Sequence, residues 1–251
     1  MKPPVPASTL ADEAYGIIRA RILRGEVAIG QVISRRKVAA ELGMSFLPVS
    51  EAFLRLEFEG LLESRPRAGT RVRIPTREDV EGHYVVREGL EVQAAKLFAT
   101  TATAEERAEL LKLALRVDAM SAQPEADRAV FLTLHEKLHH RIAECGRCPA
   151  LCEAIEKTCA LSASWLCIGG NISGNHRLRR HQELMEVLGQ GSREKAAEAM
   201  RAHLEWSREW MLERLEPYFR LGEAQGDTYA RSTKRRFAVE APEEAAREAT
   251  A

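Results

Sequence analysis

The chain has 251 residues, and its 37 basic residues (Lys and Arg) balance 37 acidic ones (Asp and Glu), so the formal net charge is zero. With 29% charged and 45% hydrophobic residues, it has the composition of a globular protein large enough for two domains. These figures exclude a uniformly basic nucleic-acid binder and an acidic disordered chain. No run of 18 apolar residues and no signal-peptide segment is present, so we expect a cytoplasmic protein that does not bind a membrane.

Three short helices and a β-hairpin are predicted in the first part of the chain. The helices, taken from the helical spacing of apolar residues, cover about 9–23, 35–42 and 45–59. Residues 61–64 and 70–74 alternate between polar and apolar around a turn at 65–69, which predicts two paired strands. The sequence therefore predicts a winged helix-turn-helix over residues 1–75, with the hairpin as its wing.

Only helical periodicity follows, with no strand pattern. The helices of this part are predicted at about 77–101, 103–121, 125–146, 149–170, 175–189 and 192–216. Their short connections favour an antiparallel all-helical bundle over residues 76–222. From Gly222 the apolar periodicity is lost, and the Ala/Glu-rich end predicts a disordered tail over 223–251. The expected fold class is therefore mainly α.

The charge is unevenly distributed between the two predicted domains. Residues 1–75 contain twelve basic and eight acidic residues, so the rest of the chain has an acidic excess. A basic first domain predicts a polyanion partner, here double-stranded DNA, for that domain alone. In a helix-turn-helix, the start of the second helix meets base edges, while neighbouring basic residues contact phosphates. The residues predicted to contact DNA are Arg35, Arg36, Ser45, Phe46, Leu47, Ser50, Arg67, Gly69 and Thr70.

One segment of the predicted winged helix-turn-helix carries a known pattern. Its matching positions are Ser45, Pro48, Val49, Glu51, Ala52, Leu56, Glu59, Gly60, Leu61, Gly69 and Val72. In this respect the segment resembles the GntR family of bacterial transcription regulators. The helical second half resembles the FadR-type effector domain called FCD, and the two resemblances together cover about residues 9–220. They imply a regulator that binds a palindromic operator as a homodimer, typically a repressor released by its ligand.

The recognition helix departs from the family pattern. Family members usually have Arg at the positions of Phe46 and Ser50, and Thr at the position of Leu47. A guanidinium group there would pair with guanine edges or phosphates, whereas Phe46 and Leu47 can contact a thymine methyl group. We therefore expect an operator unlike the usual one of the family. The alternative is a recognition helix with little sequence specificity, so that the protein binds DNA weakly or relies on Arg36 and the wing.

Four of the seven histidines occupy inward-facing helical positions. His135-Glu136-Lys137-Leu138-His139 matches the H-E-x-x-H motif of zinc metalloproteases, in which two histidines bind zinc and the glutamate activates water. His181 and His203 align with apolar positions on the last two predicted helices of the bundle. A lone inward histidine is usually a core residue. Four of them on three facing helices favour a binding site, because each buried imidazole needs a partner.

The resemblance to FCD regulators implies a divalent metal ion at the same histidines. These regulators typically have Asp-x-x-x-His on one helix and single histidines on two later ones, which correspond to His135, His139, His181 and His203. His135 stands where the family has Asp. Imidazole in place of a carboxylate favours Zn²⁺, Ni²⁺ or Co²⁺ over Mg²⁺ or Mn²⁺, and makes the metal a better electrophile for an anion. The alternative is a three-histidine site that His135 does not join.

The resemblance also implies a small carboxylate metabolite as the effector. The family arginine that commonly faces the effector pocket corresponds to Arg87, whose guanidinium can hold a carboxylate by two hydrogen bonds. The alternative is a surface arginine paired with Glu91 one helical turn away.

The five cysteines are less informative. Cys145, Cys148, Cys152 and Cys159 are spaced as metal ligands can be, but the same spacing is the core period of a helix. Their odd number, with Cys167, favours reduced thiols over a disulfide framework.

A DNA-binding regulator, and not an enzyme, is the function that the sequence favours. A zinc metallohydrolase using His135, Glu136 and His139 is one alternative, but it leaves the winged helix-turn-helix without a role. The other alternative is a regulator that responds to the metal alone, with no organic effector.

Overall fold

The computed structural model describes residues 9–123, 127–168 and 180–237. Its helices are α1 (Leu10–Leu23), α2 (Arg35–Leu42), α3 (Phe46–Phe58), α4 (Arg77–Thr101), α5 (Ala104–Ser121), α6 (Arg128–Cys145), α7 (Pro149–Ile168), α8 (Arg180–Leu188) and α9 (Arg193–Phe237). Its strands are β1 (Val32–Ile33), β2 (Leu62–Arg65) and β3 (Gly69–Val72). The predicted fold class, a winged helix-turn-helix followed by a helical bundle, is confirmed.

The first domain packs α1, α2 and α3 around one apolar core. The buried members of this core are Ala14, Ile18, Ile22, Val38, Ala39, Val49, Ala52, Phe53, Leu56, Leu61, Leu62 and Val72. Gly43 ends α2 with φ of 64°, a left-handed conformation that glycine adopts without strain, so that α3 can begin after a short turn. This connection sets the angle between the two helices of the helix-turn-helix.

The wing is part of a three-stranded antiparallel sheet in the order β1-β3-β2. Leu62 pairs with Val72 in the hairpin, and Val32 pairs with Arg71 on the other edge of β3. The sequence predicted the hairpin but not β1, because a strand of two residues is too short to show an alternating pattern.

The second domain is formed by α4 to α9. Capping boxes begin its first two helices: Thr76 and Asp79 exchange hydrogen bonds at α4, and Thr103 and Glu106 do so at α5. α4 packs along α9, and α6 lies against α4, α5 and α7. The core between them contains Phe98, Leu110, Leu138, Ile142, Leu188 and Met200, each 1% exposed or less.

The end of the chain differs from the prediction. α9 continues through Pro217 to Phe237, whereas the sequence predicted a disordered tail from residue 223. Once a helix is nucleated, each added residue gains a backbone hydrogen bond, so it can extend past the point where its apolar periodicity ends. The rest of the predicted tail, 238–251, lies outside the described residues. In the part of the chain that the structure describes, no helix has the length and apolarity needed to cross a bilayer.

Candidate metal centre and DNA-binding surface

The four histidines singled out in the sequence come together inside the bundle. His135 and His139 lie one turn apart on α6, and His181 and His203 reach the same point from α8 and α9. Ring centroids are 4.7 Å apart for His135 and His139, 5.0 Å for His135 and His181, and 5.0 Å for His181 and His203. One ligand nitrogen from each of His135, His139 and His181 lies within 4.8 Å of the other two. These distances suit ligands that converge on one metal ion.

Two buried carboxylates orient the rings of the cluster. Nδ1 of His139 lies 2.6 Å from Oε2 of Glu91, and Nδ1 of His181 lies 2.7 Å from Oδ1 of Asp118. An ionised carboxylate only accepts hydrogen bonds, so each Nδ1–H donates and each Nε2 keeps its lone pair. Asp118 also accepts the backbone N–H groups of His181 and Gln182, which fixes the first turn of α8. Carboxylates behind metal-binding histidines serve this orienting purpose in many proteins.

Three imidazole nitrogens of the cluster are buried without a hydrogen-bond partner. They are Nε2 of His139, Nε2 of His181 and Nδ1 of His203. Nearly all buried polar atoms in proteins are hydrogen-bonded, so three unpaired ones at one point are unusual. Lone pairs of neutral imidazole are good ligands for divalent transition metals. The residues present therefore fit the metal ion that the family resemblance implies.

Burial disfavours the charged form of three of the cluster histidines, and nearby charges favour the charged form of the glutamate. Burial, followed by the nearby charges of the other cluster histidines, holds the pKa of His135 and of His203 well below the usual value. Burial also lowers the pKa of His181, although the carboxylate of Asp118 opposes the shift. For Glu91, burial acts to raise the pKa, but the charges of Arg87 and His139 outweigh it and the pKa is lowered. Metal binding by His135, His181 and His203 thus needs no costly deprotonation.

Arg87 lies inside the bundle next to the cluster. It is 3% exposed, and its Nε donates to Oε1 of Glu91 at 2.7 Å, while the other oxygen of Glu91 accepts from His139. The pairing with Glu91 that the sequence offered as an alternative is therefore present, but it is buried and not on the surface. Its guanidinium also lies 4.9 Å from the ring centroid of Tyr84. Arg87 is connected to His139 through one shared carboxylate.

Glu136 of the H-E-x-x-H match turns away from the histidines. Its Oε1 forms an ion pair of 2.9 Å with NH2 of Arg19, which belongs to α1 of the first domain. A metalloprotease needs this carboxylate beside the metal-bound water. Glu136 instead joins the two domains, so the metallohydrolase alternative is wrong.

The cysteines form no comparable site in the part of the chain that the structure describes. Cys145 is buried, Cys148 and Cys152 are half-buried, and all three are free thiols. Burial raises the pKa of Cys145 to about 11, which makes it a poor thiolate ligand. The side chains of Cys159 and Cys167 lie outside the described residues.

Some of the residues predicted to contact DNA are exposed, and the others are buried or paired within the protein. Those exposed at the start of α3, on α2 and at the tip of the wing are Ser45, Phe46, Leu47, Arg36, Arg67 and Gly69. Ser45 begins α3 without a side-chain capping bond, so its hydroxyl is left for other contacts. Arg67 and Gly69 have φ of 64° and 82°, which turn the chain sharply between β2 and β3.

Three other residues predicted to contact DNA have side chains that are buried or already paired within the protein. Oγ of Ser50 is buried and cannot reach a base, and Thr70 is 7% exposed with its hydroxyl 2.7 Å from that of Ser64. Arg35 donates to Glu57 at 2.6 Å, so its charge is already paired. The DNA contacts of Ser50 and Thr70 stay predictions, and the burial of both hydroxyls counts against them; the sequence could not show which way each side chain points.

Two residues of the candidate metal centre were not predicted from the sequence. The sequence suggested Glu91 only as a surface partner of Arg87. Its position one helical turn after Arg87 predicts that pair, but not its contact with His139. Asp118 lies at the end of α5, far in sequence from His181, and no motif links the two residues. Only the folded chain brings this carboxylate to the histidine cluster.

A winged helix-turn-helix with exposed residues on its second helix, joined to a bundle with a buried histidine centre, defines the class of DNA-binding regulators with a sensing domain. Comparison with known proteins agrees. The model of the bacterial regulatory proteins of the gntR family matches residues 10–72, and that of the FCD domain matches residues 83–205. The chain therefore belongs to the GntR family and carries an FCD domain; it is a transcriptional regulator and not an enzyme.

Individual relatives carry the same architecture over most of their length. The chain is 29% identical over 203 residues to the "Probable D-xylose utilization operon transcriptional repressor" of Paenarthrobacter nicotinovorans, covering 78% of this chain and 86% of that protein. It is 22% identical over 202 residues to the HTH-type transcriptional repressor RspR of Escherichia coli K12, covering 80% and 88%.

Solved structures show the same fold. A GntR regulator from Rhodococcus sp. RHA1 matches with a TM-score of 0.67 at 24% identity, covering 81% of this chain and 97% of that one. McbR/YncC of E. coli matches with a TM-score of 0.66 at 21% identity, covering 82% and 98%.

Proposed function

We propose that this protein is a repressor that binds a palindromic operator as a homodimer and is released when a small carboxylate metabolite binds at a divalent metal ion. The ligands of that ion are His135, His139, His181 and His203. The observation that carries the proposal is the set of buried imidazole nitrogens without hydrogen-bond partners. Each unpaired buried polar atom costs about 1–3 kcal/mol, and a cation that takes the lone pairs removes this cost.

The donor set favours Zn²⁺, Ni²⁺ or Co²⁺ over Mg²⁺ or Mn²⁺, because every donor is a neutral nitrogen and no carboxylate is among them. When bound, such an ion supplies an electrophilic position for a carboxylate oxygen. The charge of Arg87 also favours an anion near His135, since it is one of the causes that lower the pKa of His135; near His203 the carboxylate of Glu91 opposes it.

One observation favours the alternative in which the metal alone is sensed. Arg87 already donates to Glu91 at 2.7 Å, so a carboxylate effector that uses this guanidinium must compete with an internal partner. The two regulator hypotheses therefore differ in whether an organic acid changes operator affinity beyond the effect of the metal.

The homodimer is supported by one exposed face of α4. Val85 and Val86 are 68% and 50% exposed, and a Cβ added to Gly82 or Gly89 on the same face would meet nothing within 4 Å. Glycine inside a helix costs about 1 kcal/mol relative to alanine, and no contact in the described chain calls for it at these positions. Close packing of a second helix against this face would explain the glycines, because a residue without a side chain lets two helix backbones approach each other.

Charge complementarity indicates that the second helix is α4 of another copy. Glu78 and Lys96 lie on this same face at equal sequence distances from residue 87. An antiparallel two-fold pair of α4 helices whose axis passes at residue 87 places Glu78 of one protomer opposite Lys96 of the other. A self-complementary face suits a homodimer, and two-fold symmetry suits a palindromic operator. We also propose a cytoplasmic location, where operator DNA is accessible.

The test uses full-length protein that has been treated with a chelator and an operator selected from random DNA. We expect one Zn²⁺, Ni²⁺ or Co²⁺ per protomer by calorimetry and elemental analysis, with weaker binding of Mn²⁺ and Mg²⁺. A panel of mono-, di- and tricarboxylates should then lower operator affinity of the metal-loaded protein only. His203→Ala should abolish both effects, whereas His140→Ala, a histidine on α6 that faces Glu144, should leave them unchanged.

Each possible outcome separates the hypotheses. If the metal changes operator affinity and no acid does so, the metal-responsive alternative is correct. If neither metal nor acid has an effect, the histidine cluster is not a sensor.

A further inference from the structure

The outward face of the recognition helix α3 is apolar. Phe46 is 52% exposed, Leu47 66% and Leu54 58%. The opposite face of α3 forms the core of the first domain through Val49, Ala52, Phe53 and Leu56. Exposed apolar side chains in a group usually mark a contact surface. On the helix that faces DNA, such a surface must meet base edges.

Polar readout by the same helix is restricted. No Arg, Lys, Asn or Gln occurs between Phe46 and Leu54, so the helix has no side chain for the bidentate contacts that read guanine or adenine. Oγ of Ser50 is buried. The first cation of α3 is Arg55, whose guanidinium lies 3.8 Å from the ring centroid of Tyr15.

Arg55 is also held by two carboxylates on the side of the helix that faces α1. It pairs with Asp12 at 3.3 Å and with Glu59 at 3.4 Å. Glu51 is exposed, but a carboxylate can only accept hydrogen bonds from bases. Hydrogen-bonded readout by α3 is therefore limited to the hydroxyl of Ser45 and the carboxylate of Glu51.

We propose that α3 reads its operator mainly through thymine, with Leu47 and Phe46 in contact with the C5-methyl groups of thymines in each half-site. Among the four bases, thymine alone presents an apolar group in the major groove. Arg36 and Arg67 contact phosphates and so position the helix without selecting a sequence. The inference rests on the proposed function, since it needs α3 in the major groove of a palindromic operator.

The experiment replaces each thymine of a selected operator by uracil, which removes the methyl group and nothing else. Full-length metal-loaded protein is first used to select operators from random DNA, and affinity is then measured by fluorescence anisotropy. We expect one or two thymines per half-site at which uracil weakens binding about four-fold, and about fifteen-fold when both half-sites are changed, from the burial of one methyl group each. Uracil elsewhere in the operator should have no effect.

A variant cycle links the effect to the side chain. In the Leu47→Ala variant, replacing the critical thymine by uracil should weaken binding little further, because the side chain that contacts the methyl group has already been removed. Leu47→Met should retain most of the effect, and both variants should fold as the parent does because Leu47 is exposed. Arg36→Gln is the matched control: it should weaken binding to thymine and uracil operators equally and reduce the dependence of affinity on salt.

Two results would overturn the inference, and they differ. If an operator is selected but no uracil substitution weakens binding, or if Leu47→Ala is as sensitive to uracil as the parent, α3 does not read thymine methyl groups. If no sequence is enriched at all, operator binding itself fails, and the apolar face of α3 is then a surface for a protein partner.

Discussion

Arg19 on α1 and Glu136 on α6 form an ion pair of 2.9 Å that joins the DNA-binding domain to the helix carrying His135 and His139. Both side chains are about a quarter exposed, at 23% and 25%. The pair lies at a cleft of about 930 Å³ between the two domains. Because Glu136 is next to His135 in the chain, any shift of α6 at the proposed metal site would also move the carboxylate that pairs with Arg19 of α1.

The first prediction concerns this link. Glu136→Gln should leave metal content unchanged and reduce the difference in operator affinity between the free and the effector-bound protein. The expected reduction is up to about five-fold, since a partly exposed ion pair contributes at most about 1 kcal/mol. Operator titrations with and without metal and acid measure this difference.

Glu144→Gln is the matched control for the same helix. Glu144 pairs with Arg141 on α6 itself, at 2.6 Å, and does not reach α1. It should preserve the full response. An unchanged response in Glu136→Gln would show that the signal reaches the DNA-binding domain by another route.

The second prediction concerns Asp118, which is 5% exposed and accepts from the ring of His181 and from the start of α8. Asp118→Asn should weaken metal binding by about 10- to 100-fold, because the ring of His181 loses the carboxylate that orients it. Calorimetric metal titration measures the loss. Thermal unfolding without metal should also show a lower midpoint.

Asp79→Asn is the control that separates the loss of metal affinity in Asp118→Asn from its loss of stability. Asp79 belongs to the capping box of α4 and lies away from the histidines. It should lower stability by about 1 kcal/mol without changing metal affinity. Equal metal affinity in Asp118→Asn and the parent protein would contradict an orienting role.

The third prediction concerns pH and His83, which bonds Ser162 at 2.6 Å and packs edge-on against Trp165. Burial, and then the charge of Arg87, lowers the pKa of His83 from 6.5 to about 4, while Glu91 opposes the shift. The unfolded chain takes up this proton below pH 6.5 and the folded chain only near pH 4. As the pH is lowered from 6.5 to 4, this group should therefore reduce the free energy of unfolding by about 1.4 kcal/mol per pH unit.

Urea unfolding in the presence of a chelator, from pH 7 to 4.5, measures this slope. His83→Gln should reduce the slope of the free energy of unfolding against pH by the equivalent of about one proton. The contributions of the buried histidine cluster are the same in both proteins and cancel in the comparison. Identical slopes in His83→Gln and the parent would refute the prediction.

The fourth prediction concerns the proposed dimer face on α4. Glu78→Lys or Lys96→Glu alone should weaken dimerisation about two- to ten-fold, because each places like charges opposite each other twice in a symmetric pair. The double variant should restore the affinity of the parent, since it exchanges the charges. Analytical ultracentrifugation over a range of concentrations measures the dissociation constant.

Lys112→Glu on α5 reverses an exposed charge away from α4 and should leave the dimer unchanged. A double variant that stays as weak as the single ones would show that these two residues do not face each other.

The candidate site was predictable in part, and the reason lies in helical geometry. His135 and His139 share a face because they are one turn apart, and His181 and His203 follow the apolar positions of their own helices. Inward-facing residues of packed helices must meet, so their convergence could be inferred. The carboxylates of Glu91 and Asp118 could not be assigned, because their partners lie on other helices at positions set by packing.

Side-chain direction on short elements was less predictable. Ser50 and Thr70 lie at positions that contact DNA in a general winged helix-turn-helix, yet the hydroxyl of Ser50 is buried and that of Thr70 meets Ser64. A single polar residue at the edge of a small domain can face either way. The hydroxyl of Thr70 is buried with one hydrogen bond, which costs little, whereas that of Ser50 is buried without one.

The sequence by itself determined the order of the helices and of the hairpin, the division into a DNA-binding part and a helical part, and the family. Periodicity, caps and glycines are local signals that act within a few residues, so they can be read without the fold. The tertiary structure alone decided the role of Glu136. The sequence placed it in a zinc-protease motif, whereas the packing of α6 against α1 pairs it with Arg19, 117 residues away in the chain. Such pairs depend on how helices dock, and docking is set by the whole core and not by any local pattern.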